Sequence, residues 1–278
     1  MTLRLFTAFH LNMSFSSIEE AARPEVVKRC YWPLLRLIEA SALRGGIEAP
    51  AYTLEVIDAI DPAWTAALRE LIGRGSVELI GSGYSQLIGP IVPAEVNAAN
   101  LRIGNQRYEQ LVGVRPRVAL VNEQSYASGL VANYLEAGYQ GLIMEWNNAA
   151  RAHPEWPRSI RLGPSAAADQ HGRQIPLLWN DSVGFQKFQR YVHGEMEIGD
   201  ELAYLHAQVT PKAQAFCLYG NDIEVFDFRP GRFATEAPID AGEWIRIRAL
   251  IDALAADSRF NFALPSEVLR ECRPDGVR

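Results

Sequence analysis

Two carboxylates each follow a short apolar run. "VALVNEQ" (118–124) delivers Glu123 and "AFCLYGND" (215–222) delivers Asp222. A facing pair of carboxyl groups is what glycosidic bond cleavage requires. One protonates the leaving oxygen while the other attacks the anomeric carbon or activates water. Aromatic residues close to similar positions, Tyr84, Trp146, Trp179 and Phe226, would offer faces on which sugar rings stack. Each feature alone has an ordinary explanation. An acid after a strand commonly caps the next helix, and large aromatics fill cores.

Other chemistries find less support. The five histidines, His10, His153, His171, His193 and His206, form no HxH, HxxxH or HExxH spacing, so a metal site would have to be assembled from separate strands. "GSGYS" is not a nucleophile elbow. "GSGYSQLIGP" lacks both the GxGxxG fingerprint and a helix-opening Lys-Ser/Thr. Cys30, Cys217 and Cys272 are odd in number and widely spaced, which suits buried free thiols. No metal and no cofactor are implied. A net charge of −6 gives no reason to expect nucleic acid or an anionic membrane. The apolar start "MTLRLFTAFHLNM" has no basic n-region and contains a histidine, so it is expected to be a first strand rather than a signal peptide, with a cytoplasmic location as the default.

The elements that would position these residues follow from the hydrophobic pattern. Short apolar runs alternate with stretches of helical period, the pattern of βα units around a parallel sheet. Strands are expected at 3–9, 47–52, 77–81, 118–121, 142–144, 177–179, 215–219 and 260–264. Leu54, Ile57, Ile60, Trp64, Leu68, Leu71 and Ile72 recur at helical steps up to a left-handed stop at Gly75. Further helices are marked by Val96–Leu111, Leu130–Leu135 and Trp244–Leu254. The proline-rich stretch 147–175 is expected to be a long functional loop. Six of the strands run into polar residues: His10 and Asn12, Ser82 and Tyr84, Asn122 and Glu123, Glu145 and Trp146, Asn180 and Asp181, Asn221 and Asp222. Parallel strands in a barrel would collect these on its C-terminal rim, where barrel enzymes place their chemistry.

Several stretches together resemble glycoside hydrolase family 57. "FHLNMSF" is similar to the family's motif after strand one, "CYWPLLRLIEA" to the helix that follows, and "GRGSVELIGSGYSQLIGPIVPAE" to the segment after strand three. "NLRIGNQRYEQLVGVRPRVALVNEQSY" resembles the run into the family's catalytic glutamate, and "YGNDIEVFDFRPGRF" the segment carrying its acid/base aspartate. The resemblance covers about residues 3–233. It implies a distorted (β/α)7 barrel of TIM type with parallel strands, and a retaining enzyme on α-glucans. Carried over, Glu123 would be the nucleophile, Asp222 the general acid/base, and His10 a ligand for a sugar hydroxyl. Glu224 matches the family's second acid. Departures fall at Asn12, where a second histidine is usual, at Met13-Ser14 in place of Gln-Pro, at Gln86 in place of glutamate or histidine, and at Asp227 in place of glycine.

The expectation is one barrel domain over residues 1–278, without a separate helical C-terminal domain. It would act as a retaining hydrolase or transglycosylase on an oligo- or polysaccharide held by His10, Asn12, Tyr84, Gln86, Trp146, Trp179, Glu224 and Phe226. A barrel that binds carbohydrate without cleaving it is the alternative, and a metal-dependent polysaccharide deacetylase the third possibility.

Overall fold

A computed structural model describes residues 2–231, 238, 239, 241–272, 274 and 276. The last two residues of the fifth quoted segment, 232 and 233, lie outside them. The chain begins with β1 (Leu3–His10). A helical stretch follows, made of α1 (Arg23–Val26), a π turn (Val27–Tyr31) and α2 (Trp32–Ala40). Next come β2 (Gly45–Glu48), α3 (Ala51–Ile60), α4 (Pro62–Gly73), β3 (Val77–Gly81), α5 (Ala94–Val112), β4 (Val118–Leu120), α6 (Leu130–Glu136) and β5 (Gly141–Glu145). The rest is α7 (Trp146–Ala152), β6 (Ser165–Ala168), β7 (Gln174–Asn180), α8 (Ser182–Val192), α9 (Ile198–His206), β8 (Ala215–Tyr219), α10 (Glu243–Ala256), β9 (Phe260–Phe262) and α11 (Pro265–Glu271).

Seven parallel strands form the ladder β7-β5-β4-β3-β2-β1-β8, with β6 added antiparallel on the outside of β7 and β9 added parallel to β1. The ladder does not close between β7 and β8. There Asn180 Nδ2 donates to the Gly220 carbonyl at 2.6 Å. β9 pairs with residues 3–5 of β1, while β2 pairs with residues 8–10, so the two share one edge of the first strand. The architecture is a distorted seven-stranded parallel α/β barrel.

Strand parity explains the packing. Alternate residues Phe6 and Ala8, Val118 and Leu120, Ile143, Leu178, Ala215 and Cys217 form one inward cluster, together with Ala263, Val268 and Cys272. Many of these are small, as a narrow barrel demands. Helix α11 plugs the lower end, where Ser266 N donates to Glu78 Oε2 at 2.8 Å. The opposite parity (Leu5, Phe9, Ile47, Leu79, Phe216, Leu218) packs against the helices, and a register shift between β1 and β8 brings Tyr219 into the same layer. All three cysteines are buried and free.

Three sequence expectations need correction. The helix marked from Leu54 to Ile72 is two helices. Pro62 opens the second one, and Asp61 Oδ1 caps it by accepting from Ala63 N at 3.2 Å. The second strand is Gly45–Glu48, not 47–52, because Pro50 already caps α3. The stretch 147–175 is not one irregular loop. It holds α7, a 3-10 turn (Arg158–Leu162) and β6. The expected stop at Gly75 does occur, with a left-handed φ of 71°. No helix among the described residues is long and apolar enough to cross a membrane.

Candidate active site

A cleft opens at the C-terminal ends of β1, β4 and β8. His10, Asn12, Gln86, Leu120, Asn122, Glu123, Gln124, Gly220, Asn221 and Asp222 line it. The fold thus brings together five of the ten residues singled out above: His10, Asn12, Gln86, Glu123 and Asp222.

Glu123 is presented by a strained turn. It has φ 52° and Gln124 has φ 53°, a left-handed pair without a glycine, which costs roughly 1–3 kcal/mol per residue. Side chains hold the turn in place. Gln124 Oε1 accepts from Glu145 N at 2.7 Å, and Asn122 Nδ2 donates to the Ser82 carbonyl at 2.8 Å. The Glu123 carboxylate is exposed to the cleft, and its Oε1 accepts from Gln86 Nε2 at 2.5 Å.

Asp222 arrives from the other side. β8 ends at Tyr219, whose hydroxyl donates to the Asp222 carbonyl at 2.7 Å. His10 N donates to the Asn221 carbonyl at 3.0 Å, and His10 and Asp222 form an isolated parallel bridge. The two side chains meet with His10 Nε2 3.8 Å from Asp222 Oδ1. The other ring nitrogen of His10, Nδ1, is bonded to Glu48 Oε2. Burial alone would lower the His10 pKa. The Glu48 carboxylate, with Asp222 and Glu224 nearby, outweighs it and raises the pKa to about 10.

The remaining five residues stand elsewhere. Glu224 is buried, so the expected contact with substrate is replaced by a structural one. Its Oε1 accepts from Asn12 N at 2.7 Å and from the Tyr31 hydroxyl, which ties the turn after β8 to the loop after β1. Burial and the neighbouring Asp222 raise its pKa to about 7, against the opposing pull of Tyr31 and His10. Trp146 and Trp179 are 2 % exposed and pack edge-on with ring centroids 5.3 Å apart, beside Trp156, while Trp179 Nε1 donates to Ser165 Oγ at 3.0 Å. Trp179 precedes the inward Asn180 and therefore points outward. Phe226 is enclosed by Tyr219, Phe188, His193 and Trp244. None of these three rings offers a face to the cleft. Tyr84 is partly exposed next to Tyr52, with its hydroxyl on Glu55 Oε2 at 3.0 Å, outside the cleft lining.

Two other strand-end acids are helix caps. Glu145 accepts from Asn147 N at 2.8 Å and Asn148 N at 2.6 Å, and Asp181 accepts from Val183 N at 3.0 Å. Glu48 is the participant that sequence reasoning missed. The same strand-end signal would have found it had β2 been stopped at Pro50. Among the described residues, no group of three His, Cys, Asp or Glu side chains converges as metal ligands would.

Comparison with known proteins identifies the family and the fold. The chain is 22% identical over 263 residues to an alpha-amylase of Pyrococcus furiosus, covering 91% of this chain and 37% of that protein. It is 21% identical over 263 residues to a 4-alpha-glucanotransferase of Thermococcus litoralis, covering 91% of this chain and 36% of that protein. The chain therefore spans little more than a third of the curated relatives it matches. The crystal structure of 4-alpha-glucanotransferase from Thermococcus litoralis superposes with a TM-score of 0.80 at 19% identity, over 100% of this chain and 42% of that one, which establishes a shared fold. Residues 4–277 match the family model described as Glycosyl hydrolase family 57, and the chain belongs to that family.

Proposed function

We propose that this barrel is the catalytic domain of a retaining glycoside hydrolase or transglycosylase acting on an α-linked glycan, with Glu123 as nucleophile and Asp222 as general acid/base. The observation that carries this reading is that both carboxylates line one cleft on the C-terminal rim, each at the end of its own strand. Membership of family 57 and relatives named alpha-amylase and 4-alpha-glucanotransferase support an α-glucan as substrate class.

In the first half-reaction Asp222 gives its proton to the glycosidic oxygen as Glu123 attacks the anomeric carbon, forming a glycosyl ester on Glu123 and releasing the aglycone. In the second, Asp222 takes a proton from water or from a sugar hydroxyl. That oxygen then displaces Glu123 from the anomeric carbon. Gln86 orients the nucleophile, and His10 faces the acid/base. The choice between water and sugar acceptor distinguishes hydrolysis from transfer.

The test is incubation of wild type and Glu123→Gln with a panel of α-linked oligosaccharides, with product analysis and measurement of binding. Turnover by wild type, and binding without turnover by the variant, is expected. Equal turnover by the variant sinks the nucleophile assignment. Binding without turnover by wild type favours a carbohydrate-binding barrel.

A further inference from the structure

Behind the His10 ring, out of the cleft lining, lies a carboxylate that this reaction scheme does not use. Glu48 closes β2, is 0% exposed, and bonds His10 Nδ1 through Oε2. Register creates the pair, because His10 lies opposite Glu48 on β2 and bridges to Asp222 on its other side. The imidazole is therefore the middle member of a row built from three adjacent strand ends. Burying a carboxylate is costly unless it is paired, and an apolar residue at the same place would avoid that cost. The pairing thus points to a role for the charge itself.

We propose that Glu48 is a positioning residue: its carboxylate fixes the His10 ring and keeps a proton on Nδ1, so that Nε2–H is a standing donor and a positive charge beside Asp222. This rests on Asp222 being the acid/base and adds the group that sets its surroundings. When Asp222 loses its proton to the leaving oxygen, the carboxylate that forms is 3.8 Å from a cation held in place beforehand. The groups facing the ring are Glu48 from β2 and Asp222 and Glu224 from the turn after β8. Tyr31 and Cys30 approach this cluster through Glu224, and Tyr108, Tyr134 and Tyr139 approach Glu48. None of these others supplies a positive charge, so His10 is the cation of the set.

Two measurements test the proposal. The first is a histidine NMR titration of protein carrying 13C-labelled imidazoles, with the His10 signal identified by its loss in His10→Gln. In wild type, the His10 signal should stay that of a protonated ring through neutrality. In Glu48→Gln, it should titrate between about pH 5 and pH 8. The second is kcat and KM on malto-oligosaccharides across the same range. Glu48→Gln should lower kcat roughly tenfold or more at pH 8 and less at pH 5.5, with KM little changed, and Glu48→Asp should recover part of the loss. Titration of wild-type His10 near its ordinary pKa overturns the proposal, as does a Glu48→Gln profile lowered by one factor at every pH. Should Glu48→Gln fail to fold, the wild-type titration decides alone. Absence of turnover with a protonated wild-type His10 overturns the functional reading while supporting the role of Glu48.

Discussion

Gln86 Nε2 and Glu123 Oε1 lie 2.5 Å apart, linking the segment after β3 to the turn after β4. Gln86, expected to touch sugar, lines the cleft and also holds the carboxylate assigned as nucleophile. An amide donor fixes one carboxylate oxygen without adding a charge, and the other oxygen is free to face the anomeric carbon. Gln86→Ala removes this restraint on a side chain that already sits on a left-handed turn. The expected result is a fall in kcat of roughly 10- to 100-fold with a smaller change in KM, because misplacement of a reacting atom weighs on the chemical step. Gln86→Glu places two carboxylates in contact and should be the worse of the two. Steady-state kinetics on a malto-oligosaccharide provides the check.

Gly220 is where β7 and β8 meet without a ladder. A Cβ there would lie 2.5 Å from Asn180 Cγ, and Asn180 Nδ2 already donates to the Gly220 carbonyl. Gly220→Ala should therefore cost about 1–3 kcal/mol by overpacking and shift Asp222, two residues on, out of alignment. Removing the obstructing side chain offsets the clash. The double variant Gly220→Ala/Asn180→Ala is expected to be more stable than the sum of its single changes predicts, a coupling measurable by denaturant unfolding. Additive effects would mean that the two side chains do not compete for this space.

Parity and punctuation decided how much could be foreseen in the sequence. The strands 77–81 and 215–219 were legible to the residue because apolar runs there end in glycine. Glu123 and Asp222 were legible as rim residues because each follows a short apolar run. β2 was hidden by its own composition. Gly45 and Gly46 have low strand propensity, yet a Cβ on Gly46 would meet the Thr7 carbonyl at 2.5 Å. Placing the strand late pushed Glu48 into its interior. Trp179 was misjudged for another reason. Proximity to a strand end says nothing of which face a residue occupies, and one step along the strand turns the side chain from barrel to helix layer. The Gln86–Glu123 bond joins distant segments, and no local pattern encodes it.

Three buried groups give stability a common pH trend. Burial raises the pKa of Glu201 to about 7, and among the described residues neither of its oxygens has a hydrogen-bond partner. Glu224 is raised to about 7 and His10 to about 10. Above pH 4.5 the unfolded chain has lost protons that folded Glu201 and Glu224 retain up to about 7, so a penalty accrues across that window. His10 contributes its full stabilisation below 6.5, and this is lost as pH rises toward 10. All three act in the same direction. Unfolding free energy should fall steadily from about pH 5 to pH 9. Glu201→Leu should remove the Glu201 share, on the order of 2 kcal/mol at pH 8 and almost none at pH 5. Urea unfolding at the two pH values measures it, and an equal effect at both would refute the ionisation account.

Asp227 stands where the family motif has glycine, and its backbone explains why glycine suits the place. Its φ is 60°, in the left-handed region, where Asp is tolerated better than most residues. The backbone N–H donates to Glu243 Oε2 at 2.5 Å, and Oδ1 accepts from Arg29 at 3.1 Å. Both partners of that ion pair are partly exposed, which limits its contribution to about 1 kcal/mol or less. Asp227→Gly gives up the pair but relieves the backbone, and the two effects should cancel to within about 0.5 kcal/mol. Asp227→Ala loses the pair and keeps the strain, and it should cost about 1–2 kcal/mol. Thermal unfolding of the two variants separates the contributions. If Asp227→Gly proved as harmful as Asp227→Ala, the Arg29 pair rather than the backbone would govern this position.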